Sequence, residues 1–320
     1  MMTKKERVQA AVRRQPVDHV PACFSLHFPR EIAFDEPGVQ AHLDFYRRTD
    51  CDVLKIMNEN LVPLIGEMHS PADWSKVPAY NRRSPFMQRQ LDMVKRILDE
   101  AGDAYALATV HGICASAIHP LEATYGYRPV RELFVEQMRT NKRPMLDARE
   151  RIADAMCDLA QACIELGCSG IYYAALGGER HFFTDEEFAE AVMPYDIRIL
   201  KAIREAGGDV FLHICKEDLN MERYRGYGDY CDVVNWGVYE TNFSLEEGRR
   251  LFPNAAIMGG LANRSGVLVD GTIEELQAAV RDVIRSFGTT GFILGADCTL
   301  PTEIPYERIA AAVHAAANPA

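Results

Sequence analysis

The sequence predicts an α/β fold, a single (β/α)8 TIM barrel, and three observations predict it. Short apolar runs alternate with amphipathic helical stretches along the chain, the pattern of a parallel sheet flanked by helices. Eight strand–helix units can be read in this way, the number that closes a barrel. The first strand is not followed by a G-x-G-x-x-G turn, which weighs against the competing open, doubly wound sheet.

The elements follow in order. Residues 3–14 read as an opening helix and the apolar run 19–26 as the first strand. A helix near 38–48 leads to the strand 52–57, and a longer insertion leads to a helix near 85–101 and the strand 105–110. Two helices at roughly 129–140 and 144–166 precede the strand 171–175. Thr184 with Glu187 has the spacing of a capping box and opens a long helix to about Ala206, which Gly207 and Gly208 stop. The second half is more regular. Strands at 209–214, 231–236, 255–260 and 291–295 alternate with helical stretches near 218–229, after Ser244, from Thr272 to Gly288, and at 305–316. Ser244 with Glu247 and Thr272 with Glu275 repeat the capping-box spacing. No fixed-period repeat, low-complexity segment or Pro/Gly/Ser-rich linker interrupts the 320 residues, so 1–320 is expected to be one barrel domain with an N-terminal helix.

Composition narrows the function. Hydrophobic residues are 48% and charged residues 25%, ordinary for a globular protein. A formal charge of -11 disfavours a general nucleic-acid binder, because phosphate affinity needs clustered Lys and Arg. No apolar run reaches the ~18 residues of a membrane span. The first residues lack the apolar stretch of a signal peptide, and nine cysteines, an odd number, suit reduced thiols. The expectation is a cytoplasmic protein with no membrane and no nucleic-acid partner.

The tripeptide His213-Ile214-Cys215 carries the chemistry. It ends the fifth predicted strand, where alternate residues share a face, so His213 and Cys215 project together and Ile214 points to the helical layer. An imidazole beside a thiol at a strand's carboxyl end makes half of a tetrahedral zinc site. Cys298, just past the eighth predicted strand, opens onto the same end of the barrel and is the candidate third ligand. An H-x-C pair by itself is more often structural than metal-binding; the strand-end placement and the distant cysteine bring the structural and the metal reading level. The other cysteines have no such partner and read as small core or surface residues.

Other polar residues at strand ends are candidates for the pocket: His27, Asn58, Glu59, His111, Glu179, His181, Trp236, Tyr239 and Asn263. A polar group near a barrel mouth is more often merely solvated or holding a loop. Glu179, in the loop after the fourth strand, is the candidate catalytic group, beside the ligands or at the fourth position. His27, Asn58, His111, Trp236, Tyr239 and Asn263 are the candidate substrate-binding residues. The aromatics Tyr172, Tyr173, Trp236 and Tyr239 would suit an aromatic methyl ether, and equally suit packing.

Four segments resemble the uroporphyrinogen decarboxylase superfamily: TKKERVQAAVRRQPVDHVP at the start, H-I-C after the fifth strand, MGGLANRSGVLVDGTIEELQAAV, and GFILGADCTLPTEIPYERIAAAV. The resemblance spans essentially the whole chain. True uroporphyrinogen decarboxylases are metal-free and carry an R-Q-A-G-R stretch soon after the first Val-Pro. Here Val20-Pro21 is followed by ACFSLHFPRE, and Arg30 stands alone. The chain is more similar to the branch of zinc-dependent, corrinoid-linked methyltransferases, which includes methylcobalamin:coenzyme M methyltransferases and the methyltransferases of O-demethylase systems. That branch implies zinc on His213, Cys215 and Cys298. Its usual glycine after the H-x-C cysteine is Lys216 here. The cobalamin-carrying D-x-H-x-x-G segment is absent, so methylcobalamin or another corrinoid is expected on a separate partner protein.

The resulting expectation is a transferase moving a methyl group between that corrinoid and a small molecule. The small molecule is either a thiol acceptor or a methylated, for example methoxyaromatic, donor. A metal-free decarboxylase-like lyase and a non-catalytic ligand-binding barrel remain the alternatives.

Overall fold

A computed structural model describes residues 1–64 and 66–318. The elements run α1 (Lys4–Val12), β1 (Ala22–Cys23), α2 (Asp35–Thr49), β2 (Val53–Ile56), α3 (Pro85–Ala101), β3 (Tyr105–His111), α4 (Ile113–Tyr125), α5 (Tyr127–Asn141), α6 (Arg143–Glu165), β4 (Gly170–Ala175), α7 (Asp185–Ala191) and α8 (Met193–Glu205). They continue with β5 (Asp209–Ile214), β6 (Val233–Trp236), α9 (Val238–Thr241), α10 (Leu245–Leu251), β7 (Ala256–Leu261), α11 (Ile273–Phe287), β8 (Phe292–Ala296) and α12 (Tyr306–Ala317).

The eight strands form one parallel sheet in the order β1-β8-β7-β6-β5-β4-β3-β2. The ring is nearly closed. Across the β1/β2 seam, the Asp52 amide donates to the Ala22 carbonyl, and the Ala22 amide donates to the Asp52 carboxylate. Each strand alternates between two cores. Leu54, Ile56, Val210, Leu212 and Ile214 face the helices, while Val53, Tyr105, Leu107, Tyr172, Phe211 and Val233 fill the barrel interior. Val8, Ala11 and Val12 of α1 join the interior cluster, so the N-terminal helix plugs the amino end. Ion pairs fasten the plug: Arg7 to Asp18 and Asp52, Arg13 to Asp209. The carboxyl end is left as the open face, where barrels of this kind hold their sites.

Capping boxes at Thr3, Thr184, Ser244 and Thr272 begin four helices, each with a threonine or serine oxygen accepting from the amide three residues on. Two expectations need correction, and one helix has no counterpart among the expected elements. The helix expected from Thr184 to Ala206 is broken at Val192 into α7 and α8, because Pro194 has no amide to donate back and its ring clashes with the preceding turn. The stretch 218–229 holds only the 3₁₀ segment Met221–Tyr227, in which Tyr224 and Tyr227, three apart, are both buried. Helix α4 went unread because Ile113–Ile118 is buried on all sides and shows no helical period. Among the described residues, no helix is long and apolar enough to cross a membrane.

Candidate metal centre

Strand β5 delivers the first two groups. Its inward positions are Phe211 and His213, and Cys215 follows in the same parity. His213 is 3% exposed and its ring stacks on Tyr172 of β4 with centroids 5.3 Å apart. Cys298, two residues past β8, brings its sulfur to 3.9 Å from that of Cys215. One ligand atom from each of His213, Cys215 and Cys298 lies within 4.8 Å of the others.

Asn235 decides which nitrogen of His213 faces the sulfurs. Its amide nitrogen donates to the carbonyls of Met258 and Ala296, at 3.0 and 3.1 Å. That orientation leaves its oxygen as an acceptor, which receives the Tyr172 hydroxyl at 3.0 Å and His213 Nδ1 at 2.6 Å. Nδ1 therefore carries the hydrogen. Nε2 is a bare lone pair, buried and without a partner. An imidazole fixed through its other nitrogen is the arrangement that metal-ligating histidines adopt.

The donors fit zinc. Metal–sulfur bonds of ~2.3 Å at a tetrahedral angle put two sulfurs about 3.8 Å apart, close to the spacing found. Two thiols and an imidazole are zinc-type ligands, and an orphaned buried nitrogen is the demand that a cation meets. Between the two sulfurs, Cys298 is held well below the ordinary thiol range by the hydrogen bond from Cys215, and that hydrogen bond and burial push Cys215 up.

The remaining candidates fall into three groups. At the mouth, His27 Nδ1 lies 2.6 Å from Glu59, with half its side chain in solvent. His111 ends β3, and burial pushes its pKa down to about 3, so it is a neutral hydrogen-bonding group. Holding the loops are Asn58, which donates to the Thr109 carbonyl and accepts from the Asn60 amide, and Asn263, which donates to the carbonyl of Thr299 beside Cys298. Tyr239 is 61% exposed, its hydroxyl donates to the Gly260 carbonyl, and its amide donates to Asp297. Away from the mouth, Trp236 points outward from β6, packs against Gly248 of α10 and donates to the Phe243 carbonyl. His181 lines a cleft of about 610 Å³ beside α5.

Glu179 is wholly buried, and both of its oxygens are engaged. One accepts from Arg131 Nε at 3.1 Å and the other from the Gly177 amide at 2.9 Å. It ties the loop after β4 to α5.

Sequence reasoning missed Asn235, His119 and Lys55. Asn235 pairs with His213 in the β5/β6 register, and an inward asparagine in an apolar strand was the available signal. His119 lies in the unread helix α4, with its ring 5.5 Å from that of His111 and its Nε2 buried and unpartnered. Lys55 is a lysine inside an otherwise apolar strand.

Comparison with solved structures places the fold. A methyltransferase from Methanosarcina mazei superimposes with a TM-score of 0.79 over 98% of both chains at 16% identity. A B12-independent methionine synthase from Shewanella sp. W3-18-1, in complex with selenomethionine, gives 0.61 over 93% of this chain and 97% of that one, at 10% identity. A putative vitamin-B12 independent methionine synthase from Listeria monocytogenes gives 0.55 over 87% and 84%, at 14% identity. At these identities the likeness is one of fold. No curated protein matches the chain by sequence. The family model for uroporphyrinogen decarboxylase (URO-D) matches residues 51–318, and with the eight-stranded barrel around it this chain belongs to the uroporphyrinogen decarboxylase family.

Proposed function

We propose that the protein is a zinc-dependent methyltransferase that moves a methyl group between a corrinoid, carried on a separate protein, and a small thiol or methylated substrate. One observation carries this reading. An imidazole nitrogen with a free lone pair and two cysteine sulfurs converge at the open end of the barrel, and the imidazole is locked in the ligating tautomer. The resemblance of H-I-C and Cys298 to the zinc ligands of the corrinoid-linked branch supports it, as do solved neighbours of the same fold that are methyltransferases or methionine synthases.

His213, Cys215 and Cys298 would hold the ion and leave one corner for substrate. Zinc bound there supplies Lewis acidity, which stabilises a substrate sulfur or oxygen as its anion near neutral pH. The chain's own residues do the positioning. Asn235 and the Tyr172 ring hold His213 rigid, Asn263 holds the loop of Cys298, and the apolar barrel beneath keeps water from entering from below. Methyl transfer is an in-line displacement, so holding acceptor and donor in line is expected to count as much as charge. His27, His111 and His119 at the mouth offer hydrogen-bonding nitrogens to a bound substrate or an incoming corrinoid.

The test is metal content and transfer together. Protein purified under reducing conditions should hold about one zinc per chain, as expected for a single tetrahedral site. It should also move a methyl group from methylcobalamin to a thiol, or from a methoxyaromatic to reduced corrinoid. A protein that refuses zinc, or that binds zinc and transfers nothing in either direction across a broad panel, would end this reading.

A further inference from the structure

Lys55 sits on the inward face of β2, 8% exposed, within the barrel that carries the metal centre. Its ammonium donates to Ser25 Oγ at 3.0 Å and lies 3.5 Å from the centroid of the Tyr172 ring, the same ring on which His213 stacks. Among the described residues it has no carboxylate partner. A buried cation without a counter-charge costs several kcal/mol and is retained where an anion compensates it.

The neighbours show where that anion is missing. The groups whose charge would act on Lys55 are Cys23, Cys298, Cys215 and Glu59. Cys23 is a fully buried thiol pushed up to about 12, so it stays neutral. Glu59 already faces His27 at 2.6 Å. Two thiolates and a divalent zinc ion would sum to zero, so the ligands of a loaded centre would offer the ammonium no net counter-charge. The open corner is the position at the centre where a negative charge can be added.

We infer that Lys55 sets the charge of the fourth ligand: the open corner selects an anion over a neutral ligand of similar size, with the Lys55 ammonium as its counter-charge. This deepens the zinc reading and rests on it. Lys55 is a positioning residue here, acting through the field it lays across the site. The substrate class it favours is one that enters as an anion, a thiolate or an oxyanion, over a neutral amine or thioether.

The test uses cobalt(II)-substituted full-length protein and two probes, azide as the anion and imidazole as the neutral ligand, each titrated through the visible cobalt bands. Lys55→Met should lose about tenfold or more in azide affinity, the order expected when a unit counter-charge is removed from a partly buried site. Imidazole affinity should be unchanged. Lys55→Arg should restore azide binding, a rescue that a purely structural role would not give in one ligand alone. Lys55→Gln, which keeps a donor to Ser25, serves if the methionine variant does not fold, and should behave as the methionine variant does. Equal losses for both probes, or no loss for either, overturn the inference and leave the metal centre standing. Wild-type protein that binds imidazole and not azide overturns it without any variant. Failure of the wild type to take up cobalt or zinc overturns the metal centre and this inference together.

Discussion

At the candidate metal centre three side chains offer donors and a fourth, Asn235, supplies orientation. Its amide is fixed by two backbone carbonyls from different strands, so it cannot rotate to offer its nitrogen to His213. Removing it should leave the ligands present but poorly held. Asn235→Leu is expected to weaken zinc affinity by about 10–100-fold, measured by competition with a chromophoric chelator, as for other outer partners of metal-ligating histidines. Unchanged affinity would show that His213 is held by the Tyr172 stack alone. Cys298→Ala is the more severe change. It deletes one of three donors and should abolish stoichiometric zinc, read by elemental analysis, with the circular dichroism of the fold retained. Lys216 shows a different constraint. It follows Cys215 with φ +88°, in the left-handed region where a side chain is strained and glycine is not. That is the physical reason for a glycine at this position, which the resemblance implies. Here the lysine is held in that conformation with its ammonium 5.0 Å from the Tyr127 ring.

Among the elements, the clearest dependence is of α10 on β6. Trp236 is fully buried on the outer face of β6, and its ring lies against the Gly248 backbone so closely that any Cβ there would overlap it. Gly248→Ala is therefore expected to destabilise the protein by about 1–3 kcal/mol, seen as a lower urea midpoint. A midpoint equal to wild type would mean that α10 can slide without cost. This packing also explains why Trp236 faces the helices and not the barrel mouth. In a strand, parity is strict, and its neighbour Asn235 holds the inward position. The β1/β2 seam shows the same economy of contact. β1 is only two residues long, and Asp52 bridges the gap by accepting from Ala22 while pairing with Arg7 of the plug.

For the molecule as a whole, buried histidines set the acid limit. His42 donates through Nδ1 to the Gly38 carbonyl and accepts the Met57 amide at Nε2, so its ring must be neutral, and burial pushes its pKa down to about 4. Burial holds His111 at about 3. An unfolded chain binds these protons near the ordinary 6.5, well before the folded one does. Their contribution is therefore complete above 6.5 and is lost progressively as pH falls toward 4 and then 3. The urea midpoint should decline from pH 7 to pH 4, and His42→Gln should flatten that decline. A wild-type midpoint that holds steady over this window would show that these rings are hydrated and not neutral by constraint.

Local pattern reached far in this chain. Short apolar runs and helical stretches with capping boxes locate all eight strands and most helices, and the parity of His213 and Cys215 puts an imidazole and a thiol on one face. Those features are legible because strand alternation and helix caps depend on residues only a few positions apart. Asn235, Lys55 and His119 are not among the sequence candidates, and Glu179, the candidate catalytic group, has both its oxygens engaged by Arg131 and the Gly177 amide. Each of those facts depends on which strand lies beside which, and at what register, around the ring. Pairing of β5 with β6 sets Asn235 opposite His213, and the placing of β2 and β4 on either side of β3 lets the Lys55 ammonium lie over Tyr172 inside the barrel. Contacts between segments distant along the chain exist only once the barrel closes, because closure is what brings their side chains into one volume.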